Sequence, residues 1–132
     1  MEAESTIRAL NDAWLQRRWD DLAAYFDEQV VMLMPFGDEK LEGREAMMAS
    51  YREFVDAATD IQLTINSIDT QDYGPTAVCH MSFEVDFTLD GEREKSEGLE
   101  VYVLHADPGQ PPRVVWRTQR VHSEAPVIAL EA

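Results

Sequence analysis

Three features of the chain predict an α+β fold. Apolar residues recur at helical spacing in the amino-terminal half, a strict period of two takes over from Ala77, and an Asp90-Gly91 hairpin signal joins two long strands. A parallel α/β sheet needs a crossover helix between successive strands. The late strands here leave no room for one, so helices first and strands last define α+β.

From about Ser5 to Arg18, the residues Ile7, Leu10 and Trp14 fall on one helical face. Asp20 is placed to cap a short second helix that turns Leu22, Ala23 and Phe26 inward, with Trp19 just ahead as a hydrophobic staple. Val30 to Met34 reads as a strand stopped by Pro35, Phe36-Gly37-Asp38 as a turn, and Lys40-Leu41-Glu42 as a second short strand. The stripe Met47, Tyr51, Phe54 and Ala58, broadened by Met48 and Val55, makes Arg44 to Ala58 the third helix. The β-branched stretch Ile61 to Tyr73 then opens a meander of four antiparallel strands. Its second strand, Ala77 to Leu89, alternates apolar and polar residues without a break. The third runs from about Arg93 to His105, a loop covers Asp107 to Pro112, and Val114 to His122 closes the meander.

With 132 residues, 45% of them hydrophobic, the chain builds one sizeable core, and a single domain over 1–132 is expected. Residues 123–132 read as a tail that is either loose or reaches a partner subunit. Asp and Glu number 26 against 11 Lys and Arg, so the net charge of -15 repels nucleic acid and anionic membrane, and neither is expected as a partner. All basic residues but Lys40 and Lys95 are Arg, a bias that fits a high-salt or GC-rich source. The single cysteine, Cys79, excludes an internal disulfide, and the start of the chain carries no charged-then-apolar leader, so a reducing cytoplasm is the expected location. Phosphate loop, dinucleotide fingerprint and metal-ligand spacing are all missing from the sequence, and no cofactor is expected.

Three stretches carry a family resemblance: Ala13-Trp14 through Trp19-Asp20-Asp21-Leu22-Ala23-Ala24-Tyr25-Phe26, Val30-Val31-Met32-Leu33-Met34-Pro35, and Leu41-Glu42-Gly43-Arg44-Glu45-Ala46. In this order and spacing they resemble the SnoaL-like and ketosteroid-isomerase-like branches of the nuclear transport factor 2-like superfamily. The resemblance implies a cone-shaped α+β barrel, with three helices packed on a curved, mainly antiparallel sheet. It also implies a pocket between helices and sheet, and a homodimer through the convex face of the sheet. Activity does not follow from this fold, which serves enzymes and scaffolds alike.

In the isomerase branch a carboxylate just before the proline of the first strand is the general base. Met34 stands there, and a thioether accepts no proton at neutral pH. The helix-1 phenol of that branch has no counterpart at Asp12 or Ala13. Its second oxyanion donor falls near Tyr102, which retains a hydroxyl. The alternation of the second meander strand turns Phe83, Val85 and Phe87 to the pocket and Glu84 and Asp86 away. On the third strand the family's parity selects Gly98, Glu100, Tyr102 and Leu104 as inward, whereas hydrophobicity selects Leu99, Val101 and Val103. The conflict is resolved if the apolar set lies on the convex face under a second subunit. On the last strand Arg117, Gln119 and Val121 then face in, and Trp116, Thr118, Arg120 and His122 face out.

Glu100, Arg117 and Tyr102 are accordingly the candidate catalytic residues, with a structural ion pair as the alternative for the first two. Trp14, Met34, Tyr51, Phe54, Phe83, Val85, Phe87, Tyr102 and Gln119 are the candidate ligand-binding residues, and the helical aromatics among them serve equally as core. His80, His105 and His122 lie on different strands and indicate no shared metal centre, although His122 is a candidate acid-base group. Cys79 has the parity of a core residue. The sequence therefore suggests a domain for a small apolar or amphipathic molecule and leaves lyase, isomerase and hydrolase chemistry open. The alternative is a dimeric interaction module without activity.

Overall fold

The computed structural model describes residues 2–34 and 39–122; the side chain of His122, the segment 35–38 where a turn is expected and the segment 123–132 expected as a tail lie outside the described residues. The order of elements is α1 (Ala3–Leu15), α2 (Trp19–Ala24), β1 (Phe26–Leu33), β2 (Lys40–Glu42), α3 (Arg44–Ala57), β3 (Ala58–Tyr73), β4 (Thr76–Leu89), β5 (Glu92–His105) and β6 (Arg113–His122). One six-stranded sheet runs β2-β1-β6-β5-β4-β3. The expected meander β3 to β6 is antiparallel throughout, and β1 joins β6 in parallel. The three helices pack on this curved sheet, which stays open with β2 and β3 at its edges. The cone is therefore not a closed barrel.

Several boundaries differ from the sequence reading, each for a local reason. Helix α1 stops at Leu15, because Arg17 adopts a positive φ of 58° and the chain turns directly into α2. Asp20 does not cap α2; Arg18 occupies that position without a side-chain cap bond, which puts Trp19 inside the helix. Phe26 leaves the helix to begin β1, fully buried, with its partner Val114 on β6. Half-buried Asp27 and exposed Glu28 and Gln29 do not alternate with apolar neighbours, and a register shift follows Phe26, so this half of β1 carries no strand pattern in sequence. Strand β3 starts at Ala58, where α3 ends in extended backbone.

Burial along β4 alternates as read, with Ala77, Cys79, Met81, Phe83 and Val85 turned to the helices. On β5 the inward set is Gly98, Glu100, Tyr102 and Leu104, and Leu99, Val101 and Val103 take the other face. Gly98 is required by proximity, since a Cβ there would lie 2.2 Å from the Arg120 carbonyl oxygen. Ile7, Leu10, Leu22, Met47 and Leu104 are fully buried from both layers. Each such Leu or Ile contributes roughly 1.5–3 kcal/mol of hydrophobic stabilisation. No described helix is long and apolar enough to cross a membrane.

Candidate functional site

The strand register gathers the polar residues of the concave face. Tyr102 pairs with Cys79 on one side and Arg117 on the other, and the next inward rung holds Met81, Glu100 and Gln119. Arg117 also faces Met32 of β1. Glu100 and Arg117 are only 6% and 4% exposed, and a charge is tolerated at such depth when it is paired. Arg117 Nη2 donates to Glu100 Oε2 at 2.8 Å, and Gln119 Nε2 donates to the same oxygen at 2.5 Å. The Tyr102 hydroxyl donates to Glu100 Oε1. Three donors thus converge on one carboxylate.

Helix α3 completes the polar cluster. Arg117 Nη1 donates to the Tyr51 hydroxyl oxygen at 2.5 Å. The guanidinium carbon sits 5.4 Å from the ring centres of both Tyr51 and Tyr102, a cation held between two phenols. Burial works against the charge of Arg117, but Glu100 and the two phenol oxygens outweigh it and raise its pKa further. Burial pushes the Tyr51 phenol up to about 12 and Tyr102 well above its ordinary value, so both are protonated near neutrality.

A cavity of about 280 Å³ opens beside this cluster. Of the expected residues, Trp14, Met34, Tyr51, Phe54, Phe83, Val85, Phe87, Glu100, Arg117 and Gln119 line it. Tyr102 does not: it is fully buried and meets Glu100 rather than the cavity. Exposure along β4 rises from 0% at Cys79 through 1% at Met81 and 5% at Phe83 to 9% at Val85, so the polar rungs lie at the deep end. The aromatic wall is built edge to face, with Phe54 and Phe87 ring centres 5.1 Å apart and Trp14 6.0 Å from Phe54.

Asn11, Ser50, Met81 and Ser96 also line the cavity and were not singled out in the sequence. Asn11 carried a usable signal, a polar residue on the apolar face of α1. Its side chain is buried, donates to the Ile7 carbonyl at 2.9 Å and accepts from Trp14 Nε1 at 2.9 Å. The remaining candidates lie elsewhere. Glu84 takes the outward parity and pairs with Lys95 at 3.0 Å. His105 contacts Thr76 and Asp107 at the far end of β5, His80 pairs in register with Val101 on the outward face, and His122 lies outside the described side chains. Cys79 is buried, and that burial pushes its thiol up, away from a reactive thiolate. Among the described residues no group of His, Cys, Asp and Glu gathers as a metal site requires.

Three helices on a curved sheet with a cavity between the layers define a cone of the nuclear transport factor 2-like superfamily. Within it the chain belongs to the SnoaL-like domain family, whose model matches residues 7–124. Solved structures agree on the fold. A ketosteroid isomerase-like protein from Erwinia carotovora atroseptica superposes with a TM-score of 0.75 at 15% identity, covering 92% of this chain and 94% of that one. A protein provisionally named as a dehydratase of the same superfamily, from Streptomyces avermitilis, gives 0.79 at 14% identity over 93% and 96% of the two chains. The CaMKII hub of S. rosetta gives 0.72 at 18% identity over 89% and 95%. No curated protein matches the chain by sequence.

Proposed function

We propose that this SnoaL-like domain binds a small, mainly apolar molecule with one polar end, inserted polar end first. The observation that carries this reading is the gradient along the cavity: Glu100, Arg117, Gln119 and Tyr51 at depth, then Phe83, Val85, Phe54 and Phe87 toward the mouth. Apolar walls with a few convergent polar groups are the usual make-up of a ligand site. The volume, near 280 Å³, sits at the low end of the roughly 300–1,000 Å³ of such sites, which fits a ligand of two or three rings.

An enzymatic version makes Glu100 the base, Arg117 the electrostatic stabiliser and Tyr102 the residue that positions Glu100, in a lyase, isomerase or hydrolase. The three donors take three of the roughly four acceptor positions of the Glu100 carboxylate, so a substrate proton would go to the one that remains, on Oε1. A base directly after β1, just before Pro35, is missing, since the Met34 thioether holds that place on the cavity wall and accepts no proton at neutral pH.

Naphthol, an aromatic with one hydroxyl, tests the binding reading through quenching of tryptophan fluorescence, because Trp14 lines the cavity. Saturable quenching at one molecule per chain is expected, and the cavity-filling Val85→Trp should weaken it at least about tenfold. Undiminished binding by the filled variant would place the site elsewhere.

A second reading rests on the convex face. Val31, Trp116, Val103 and Val78 form one cross-strand row, with Leu33, Val101 and Leu99 beside it, and all are partly exposed in the single chain. Such a stripe supports a homodimer through this face. In the alternative to a ligand-binding domain, that assembly is the whole function and the cavity is vestigial.

A further inference from the structure

We infer that the deep end of the cavity selects an uncharged ligand presenting a carbonyl oxygen to the hydroxyl hydrogen of Tyr51, and rejects the corresponding carboxylate. This rests on the ligand-binding reading above and narrows it to a chemical class.

The charges at depth already balance. Arg117 is the cation and Glu100 the anion, 2.8 Å apart and both nearly inaccessible. Tyr51 and Tyr102 stay neutral because burial keeps their phenols protonated. A ligand carboxylate would bring a second anion beside Glu100 with no spare cation, where low polarity strengthens the repulsion. The chain's net charge of -15 adds to that bias.

The hydrogen-bond inventory shows what is left over. Tyr102 spends its hydrogen on Glu100. Tyr51 is different: its oxygen accepts from Arg117 Nη1 at 2.5 Å, and among the described residues its own hydrogen has no acceptor. Accepting from a guanidinium polarises the phenol and makes it a stronger donor. Arg117 Nε is likewise buried without a partner among the described residues. A spare donor, the Tyr51 hydroxyl, therefore stands where the ligand ends, while Glu100 already accepts three of the roughly four hydrogen bonds a carboxylate can take. A neutral oxygen with two lone pairs meets that donor without adding charge. The walls suit a flat ring system, with Phe54, Phe83 and Phe87 above the polar rungs.

Methyl naphthyl ketone, ethylnaphthalene and naphthoate share one shape and differ only at the polar end, so tryptophan quenching by the three isolates the chemistry. The ketone should bind about tenfold tighter than the hydrocarbon, as one hydrogen bond gives, and at least as much tighter than naphthoate. In Tyr51→Phe the ketone should fall to the level of ethylnaphthalene, whose own affinity stays the same and shows the cavity intact. Ketone and hydrocarbon binding alike, naphthoate matching the ketone, or a ketone preference that survives in Tyr51→Phe would each overturn the inference while leaving the cavity a ligand site. Failure of all three compounds to bind would remove the ligand-binding reading itself and this inference with it.

Discussion

Glu100 and Arg117 tie β5 to β6 from inside the core, and their cost of desolvation is offset only while both are present. Truncating one leaves the other buried and unpaired. Glu100→Ala is expected to lower stability by about 3–5 kcal/mol in urea denaturation, whereas Glu100→Leu combined with Arg117→Met should recover most of that loss. Equal losses in the single and double variants would show that the pair is not what holds these strands. The pair was anticipated from the inward parity that the family resemblance implies for β5, against the hydrophobic pattern, and Gln119 followed by the same rule. Tyr102 shares that parity yet points its hydroxyl at Glu100, a detail fixed by side-chain packing that no spacing encodes. The bond from Arg117 to Tyr51 spans two elements distant in sequence, so it too was beyond reach of a pattern.

Strand β1 shows the limit of patterns at the scale of an element. Its second half reads as a strand, but its first half is polar and is held by β6 through Asp27, whose Oδ1 accepts from Arg113 Nη2 at 3.1 Å. The backbone N–H of Gln29 donates to the other oxygen at 2.9 Å and, with Arg113, outweighs partial burial to lower the Asp27 pKa below its ordinary 3.8. A lowered acid contributes stability above its unfolded value and loses it as pH falls through the folded one. Asp27→Asn should therefore cost stability near neutrality, and its deficit against the parent should shrink below about pH 4 in paired denaturation curves. A deficit that is constant with pH would mean that Asp27 acts without its charge. On β5 hydrophobicity and family parity disagreed, and the structure follows parity. The apolar set Leu99, Val101 and Val103 is the stronger pattern in sequence but belongs to the outer face.

For the whole molecule, that outer face leaves a row of apolar side chains partly exposed in the single chain. Joined by Trp116, Val78 and Val31, it supports the proposed homodimer, and Val101→Glu at its centre should give a monomer by analytical ultracentrifugation while the cavity still binds naphthol. An unchanged dimer would move the interface away from this sheet face. The fold class was readable because element order restricts topology strongly, yet the parallel seam of β1 and β6 that holds the sheet together joins residues far apart in the chain and left no local trace. The proposed neutral ligand is seated at the polar depth of the cavity. A crystal structure of the protein soaked with methyl naphthyl ketone tests this placement most directly. The ketone oxygen is expected within hydrogen-bonding distance of the Tyr51 hydroxyl, with the rings between Phe83 and Phe87; a cavity closed by Phe54 and Phe87 with the ketone bound only on the convex face would overturn that placement.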